Sequence, residues 1–487
     1  MLLSNLWPNH KLKDDITVTG ITADSRQVKP GMIFVAIPGT VYDGHDYITH
    51  ATDAGACVVI ASKAPKTCAV PVIKVDNPRL TLTTIAEKIA GRQPGVIAAV
   101  TGTNGKTSVA DFLRQIWKHT GWRCASIGTL GIRGDGIEKV AELSHLTTPD
   151  PVNLHHNLSI LSELGVSNIA IEASSHGIEQ DRLSGLKLVA AGFTNLTRDH
   201  LDHHGSMEMY FKAKARLFTE LLPDGAIAVI NIDDEYGERL ADMLSKRQIS
   251  VLSIGRSKSA TLRLDDIQYF DGGMSLSVIY DGTTRTIPLA MMGSFQAENA
   301  LMAAGLAFAS GLSMPHALLA LAYVKPAPGR MQMITGHPDG AKIVIDYAHT
   351  PDALQTALSS LRKDCSGKLG VVFGCGGDRD QGKRAQMGQI AHNLADFAIV
   401  TDDNPRHEDP AAIRQEIMSA CTDAVEIGDR QKAIHEGILK LGPDDVLLIA
   451  GKGHESNQLV GSETLPFSDD AVAAAVLTRL NTSEKRA

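Results

Sequence analysis

The chain has 487 residues, which at roughly 150 residues per domain predicts about three domains, each long enough to bury a core of its own. Hydrophobic residues make up 43% and charged residues 21%, an ordinary globular usage that excludes a disordered or fibrous chain. Lys and Arg number 47 against 55 Asp and Glu, a formal charge of -8, which excludes a nucleic-acid binder with a broad basic face and leaves any anionic substrate to local cations.

The longest apolar runs, such as residues 95–100 and 446–450, fall well short of the about 20 residues that span a bilayer, so no membrane insertion is expected. The start of the chain lacks a basic stretch followed by an apolar core and is not an export signal. Six scattered cysteines form no C-x-x-C pair, and reduced thiols in a cytoplasmic protein are the expectation.

In chain order, strand-length apolar runs alternate with helical segments, the pattern of α/β domains with mainly parallel sheets. Strands are expected at residues 57–61, 95–100, 168–172, 226–231, 342–346, 369–373, 397–401 and 446–450. A helix-like stretch followed by Arg92-Gln93-Pro94-Gly95 closes a first domain, 1–92. Closely spaced prolines in Lys325-Pro326-Ala327-Pro328-Gly329 separate a second, 93–325, from a third, 326–487. Alternation across residues 262–289, with the turn Asp271-Gly272-Gly273, predicts a β-rich insertion in the second. Several expected strands run directly into Gly, Asp, His or Arg clusters. Ligands of open α/β sheets bind beyond the carboxyl ends of strands, so these clusters point to a lined crevice.

The most informative cluster is Thr101-Gly102-Thr103-Asn104-Gly105-Lys106-Thr107-Ser108, set between an expected strand and an expected helix at residues 109–119. Glycines let the backbone N–H groups curl onto a polyphosphate, the helix N-terminus adds its dipole, Lys106 supplies charge, and Thr107 is a magnesium ligand candidate. The central domain is therefore read as a P-loop-like ATPase domain. Val100 stands where the strict pattern has its first glycine.

This loop resembles the ATP loop of the Mur ligase family and its relative folylpolyglutamate synthetase. Further matches follow in order: Glu172-Ala173-Ser174-Ser175-His176-Gly177, Asn195-Leu196-Thr197-Arg198-Asp199-His200-Leu201-Asp202, Asn299, Pro328-Gly329-Arg330, and Asp346-Tyr347-Ala348-His349-Thr350-Pro351. They span nearly the whole chain. The resemblance implies a small N-terminal α/β domain for the UDP end of a substrate, a central ATP-binding domain, and a C-terminal Rossmann-like α/β domain for an incoming amino acid. It also implies ATP contacts from residues 102–108 together with Asn299, Arg330 and Asp346. Phe295-Gln296 stands where relatives carry His-Asn or Phe-Asn.

Within the family, Asp403-Asn404-Pro405-Arg406, the glycine-rich segment 374–384, and Gly451-Lys452-Gly453-His454-Glu455 resemble the branch that adds meso-diaminopimelate to UDP-N-acetylmuramoyl-L-alanyl-D-glutamate. The far end of that diamino diacid needs a cation for its carboxylate and an acceptor for its ammonium. Arg406 and Arg379 are candidates for the first, since a guanidinium binds a carboxylate through paired hydrogen bonds. Glu455 and Asp403 are candidates for the second, with Asn404, Pro405 and Gly451 in the same site. For the UDP-muramoyl dipeptide the resemblance points to Ala23, Ser25, Thr40, Val41, Tyr42, Leu146, Thr147, Thr148, Ser174, Gln180 and Arg182. Leu146 replaces an Asn of some relatives. Taken alone, Ser25 or Thr148 reads as a cap or turn residue.

The reaction implied is ATP-dependent: a carboxylate becomes an acyl phosphate, which an amine then displaces. Magnesium, Lys106 and Thr107 are expected to neutralise the shifting charge. Glu172 and His200 resemble ligands of a second magnesium, and Lys214 aligns with a lysine that relatives carry as an N6-carbamate, an anion able to approach the metal. From residue type alone, Lys212, Lys214 and Arg216 read instead as a solvated helix face. A monomer is expected. Three rivals are a lysine-adding Mur ligase, which Arg406 disfavours; folylpolyglutamate synthetase, which the N-terminal match disfavours; and a nucleotide-switch ATPase, which needs no carboxylate-reading cluster.

Overall fold

A computed structural model describes residues 1–8, 10, 12, 14–39, 42–137 and 146–484. Three α/β units follow one another, each around its own sheet. The first holds four parallel strands in chain order, Gly20–Thr22, Met32–Ala36, Val58–Ala61 and Val72–Lys74. Their nearly unbroken apolar sequence suits a parallel sheet covered on both faces. The helix Pro78–Ala90 closes this unit. Asn77 caps it by accepting from the Leu80 N–H at 3.0 Å, Pro78 occupies its first turn, and Gly91 ends it at φ +78°.

The second unit is a ten-stranded sheet whose centre is parallel: Leu262–Phe270, Ser250–Gly255, Ile227–Asn231, Leu188–Phe193, Val96–Thr101, Asn168–Glu172 and Cys124–Gly128, in spatial order. The expected β-rich insertion is an antiparallel extension of one edge by Gly273–Tyr280 and Thr283–Leu289. One face is covered by helices Lys106–His119 and Phe295–Ala309, the other by Pro151–Glu163 and Met207–Arg216. In the third unit five strands are parallel (Lys342–Asp346, Val446–Ala450, Leu369–Phe373, Phe397–Val400 and Val425–Glu426), with Gln332–Ile334 antiparallel at one edge. Apolar layers lie on both of its faces. No helix of the described residues is long and apolar enough to cross a membrane.

The sequence-derived strands at 168–172, 342–346, 369–373 and 446–450 coincide with observed ones, those at 57–61, 226–231 and 397–401 differ by one residue at one end, and that at 95–100 is shifted by one residue at both ends. The helix after the phosphate loop starts earlier than expected, at Lys106 rather than residue 109. Gly105 is left-handed at φ +86° and stands at the N-cap, so Lys106, Thr107 and Ser108 form the first helical turn. That turn points its free N–H groups across the strand ends.

Candidate active site

The carboxyl ends of Val96–Thr101 and Asn168–Glu172 open on a cleft of about 460 Å³ between the second and third units. It gathers Thr103, Asn104, Gly105, Lys106, Thr107, Ser108, Thr147, Glu172, His200, Asn299, Arg330 and Asp346. These come from segments far apart in sequence, strand ends such as Glu172 and Asp346 together with the first turns of the helices Lys106–His119 and Phe295–Ala309.

Glycine is required twice in the loop. A Cβ on Gly102, at φ +147°, would lie 1.8 Å from the Thr194 hydroxyl, and one on Gly105 would lie 2.3 Å from Asn299 Oδ1. Asn299 itself donates through Nδ2 to Gln296 Oε1 at 2.9 Å. Lys106 folds back over the loop, Nζ donating to the carbonyls of Gly102 and Thr103 at 2.9 and 2.8 Å. Burial lowers its pKa, partly opposed by the Glu172 carboxylate. Asn195 Oδ1 accepts from the Asn104 N–H at 2.9 Å, anchoring the loop to the neighbouring strand.

Glu172 is buried, and Thr107 Oγ1 donates to its Oε2 at 3.0 Å. The Thr129 N–H and hydroxyl donate to it at 2.8 and 3.1 Å. Burial raises its pKa while Lys106 works against the rise. A buried carboxylate beside a hydroxyl at a phosphate loop is an oxygen donor set that fits a hard divalent cation. His200 lines the same cleft in a left-handed conformation, φ 53°, immediately before the short helix Leu201–His204 rather than within a helix.

Lys214 departs from the solvated-face reading. Lys212 is exposed, but Lys214 is 1% exposed, donates to the Gly102 carbonyl at 2.7 Å and lies over the Tyr210 ring at 4.6 Å. The helix Met207–Arg216 packs this position under the phosphate loop. Burial holds the Lys214 amine well below its ordinary 10.5, and the neighbouring Lys106 adds to the effect. A neutral buried amine is the form that reacts with carbon dioxide.

The third unit reaches into the cleft through Arg330 and Asp346. Arg330 Nη2 donates to Thr107 Oγ1 at 3.3 Å, and its guanidinium lies 4.2 Å from the Tyr347 ring centre. Both Asp346 oxygens are occupied, accepting the N–H groups of Met331 at 2.7 Å and Ala348 at 2.9 Å. Asp346 thus holds the backbone that presents Arg330. Asn104 Nδ2 donates to Asp352 Oδ2 at 3.1 Å, a second bridge between the units.

The other C-terminal residues form a separate, adjoining cluster. Asp403, Asn404 and Pro405 are buried, Arg406 is half-buried, and Arg379 is exposed. Arg406 Nη1 donates to the Gly377 carbonyl at 2.8 Å. Asn404 Nδ2 donates to Glu455 Oε2 at 2.9 Å. A Cβ on Gly451, φ +113°, would lie 2.6 Å from Asp403 Oδ2. The Gly451 N–H donates to the Asp346 carbonyl at 3.2 Å. Gly329, next to Arg330, packs so closely that a Cβ there would be 2.1 Å from the His454 nitrogen. The two clusters therefore share one pair of stacked loops.

Of the residues expected near the UDP end, Thr147 lines the cleft with its Oγ1 3.1 Å from the Thr129 hydroxyl. Thr148 Oγ1 lies 2.8 Å from the Glu172 carbonyl and 3.0 Å from Ser174 Oγ. Arg182 donates to the Thr148 carbonyl at 2.7 Å and to Gln180 Oε1 at 2.7 Å. Leu146 is 45% exposed. Ala23 packs on the N-terminal core, and Ser25 is buried in a short turn capped by Asp24 rather than by Ser25 itself. Tyr42 is 74% exposed, while Thr40 and Val41 lie outside the described residues. Ala23, Ser25 and Tyr42 do not line the cleft. Sequence reasoning assigned no part to Thr129, Asn195, Asp352 or Lys452. Asn195 and Lys452 stand inside recognised motifs, which was the available signal; Thr129 and Asp352 carried none.

A strand-loop-helix phosphate site facing a cationic loop from a separate Rossmann-like unit defines a nucleotide-dependent enzyme of several domains. The comparisons name the family. Residues 17–89 match the Mur ligase family catalytic domain, 100–307 the Mur ligase middle domain, and 329–453 the Mur ligase glutamate ligase domain. The chain belongs to the Mur ligase family. It is 49% identical over 465 residues to the UDP-N-acetylmuramoyl-L-alanyl-D-glutamate--2,6-diaminopimelate ligase of Mesorhizobium japonicum, covering 95% of each chain. Against the Brucella melitensis protein of the same name it is 47% identical over 469 residues, covering 96% of this chain and 95% of that one. A solved structure with that name is 30% identical, with TM-score 0.72 and 99% of each chain covered. Mycobacterium tuberculosis folylpolyglutamate synthase, complexed with ADP and AMPPCP, shares the fold at 19% identity, TM-score 0.62, with 82% of this chain and 93% of that one covered.

Proposed function

We propose that this ligase uses ATP and magnesium to join the D-glutamate γ-carboxylate of UDP-N-acetylmuramoyl-L-alanyl-D-glutamate to meso-diaminopimelate, in cytoplasmic peptidoglycan precursor synthesis, as a monomer. The observation that carries this reading is the Asp403-Asn404-Pro405-Arg406 loop folded beside Gly451 and Glu455, against the loop that sends Arg330 to Thr107. The 49% identity to a ligase of that name supports it. Residues 1–92 are assigned to the UDP end, 93–325 to ATP, and 326–487 to the incoming amino acid.

The acceptor carboxylate attacks the γ-phosphorus, ADP leaves, and the amine of the diamino acid then displaces phosphate from the acyl phosphate. Lys106 exchanges its loop carbonyls for phosphate oxygens, and the N–H groups of the first helical turn hold the chain of phosphates. Arg330, held over Tyr347, supplies positive charge from the other side. Thr107, Glu172, His200 and the carbamate of Lys214 are the residues that would hold magnesium, which when bound offsets charge on the transferring group. Arg406 and Arg379 take the distal carboxylate; Glu455 and Asp403 take the distal ammonium. Ala23, Ser25, Thr40, Val41, Tyr42, Leu146, Thr147, Thr148, Ser174, Gln180 and Arg182 serve the UDP-muramoyl dipeptide.

The test is phosphate release with ATP and the UDP-muramoyl dipeptide, comparing diaminopimelate with lysine. Release with diaminopimelate and little with lysine is expected. Preference for lysine overturns the substrate assignment, and release that needs neither amino acid overturns the ligase reading.

A further inference from the structure

The least expected charge in the third unit is Lys452. Its side chain is 0% exposed, yet burying an ammonium is costly unless it is paired and fully hydrogen-bonded. Its partners lie in the diaminopimelate cluster. Nζ donates to Asn404 Oδ1 and to Glu455 Oε2, both at 2.9 Å. Asn404 Oδ1 also accepts the Leu459 N–H at 3.0 Å. Two donors on that atom leave one orientation for the amide, so Nδ2 faces Glu455 Oε2 and donates to it at 2.9 Å.

The consequence falls on Glu455. Its Oε2 receives both Lys452 and Asn404, while its Oε1 has no hydrogen bond among the described residues. The side chain is 31% exposed. One oxygen of this partly exposed carboxylate thus holds two donors, and the other is left to accept from a bound ligand. Asn404, by contrast, has its carbonyl oxygen filled from both sides.

We infer that Lys452 is a positioning residue which, through Glu455 and Asn404, sets selectivity for the distal ammonium of the incoming diamino diacid. The inference rests on the proposed function. It assigns Asn404 to the support of Glu455 rather than to substrate through its oxygen, and makes the single free oxygen of Glu455 the ammonium's acceptor.

The discriminating probe is 2-aminopimelate, which keeps the distal carboxylate and the reacting amine but lacks the distal amine. On the unaltered protein, kcat/KM is expected to favour meso-diaminopimelate over 2-aminopimelate. Lys452→Met is expected to cut that preference at least about tenfold, mainly through the KM of diaminopimelate, leaving the KM of ATP unchanged. Glu455→Gln is expected to do the same, and the double variant to add little, because both act through one contact. A purely structural lysine predicts an equal fall for both amino acids, and that result, or an unchanged ratio, overturns the inference. If Lys452→Met does not fold, Lys452→Gln, which keeps a donor without the charge, is judged by the same ratio. An unaltered protein that uses neither diacid instead overturns the proposed function, and the inference with it.

Discussion

Thr107 and Glu172 are joined by a 3.0 Å hydrogen bond across the carboxyl ends of two adjacent parallel strands, and the same threonine hydroxyl receives Arg330 at 3.3 Å. One oxygen thus links the phosphate loop, the strand-end carboxylate and the third unit. A nucleotide bound at this loop would redistribute these bonds, including the one that reaches the third unit.

Lys106→Ala is expected to abolish ligation while the protein still folds. The side chain gives up two hydrogen bonds to loop carbonyls, each contributing on the order of 1 kcal/mol, whereas loss of a charge on the transferring phosphate costs about 100-fold or more in kcat. Phosphate-release assays and a thermal melt check both halves. Turnover within tenfold of the unaltered protein would sink the phosphate-loop assignment.

Lys214 is expected to be carbamylated in bicarbonate-replete protein. Its buried amine, held well below the ordinary lysine range, is available as the neutral nucleophile. Lys214→Ala is expected to lose activity, with partial recovery on adding small carboxylates. Intact mass under bicarbonate and electron density at Nζ are the measurements; a bare ammonium there removes the assignment.

Arg406→Ala is expected to lower diaminopimelate use by tens to thousands of fold and to spare ATP and the UDP substrate. Removing one partner of a buried charged pair costs roughly 2 to 5 kcal/mol, and each ~1.4 kcal/mol is a factor of ten. Lysine use should change little, having no distal carboxylate to lose. Specificity constants for both amino acids on both proteins decide it, and an equal fall for the two would make Arg406 structural.

Acid stability offers a test away from the cleft. Burial holds the His155 imidazole at about 4, down from 6.5, with Nε2 3.1 Å from the Ser184 carbonyl. The unfolded chain therefore takes up this proton first as pH falls. Its contribution is full above about pH 6.5 and is lost progressively towards pH 4, on the order of 3 kcal/mol in all. His155→Leu is expected to flatten that part of the stability-pH curve; a curve unchanged in shape counts against a buried neutral imidazole.

The phosphate loop, the strand ends and the order of the three units were legible in the sequence because each is a local pattern: an apolar run, then glycine and polar residues within a few positions. Arg406 and Glu455 were singled out because they stand in short recognisable runs, and the fold brings those runs together. The helix start at Lys106 was misplaced by three residues because φ at Gly105 is a property of the folded loop.

What the tertiary structure decided is the environment of residues whose partners are remote in sequence. Lys214 reads as one of three surface cations until its helix is packed under Gly102, 112 positions away. Asp346 reads as a ligand contact alone until its two oxygens are seen also to hold the backbone of Met331 and Ala348. Lys452 is a glycine-flanked lysine until Asn404, 48 positions distant, closes over it. Backbone patterning depends on neighbours along the chain, whereas the free energy of a charge depends on solvent and on every dipole within a few ångströms, and only the folded chain specifies those.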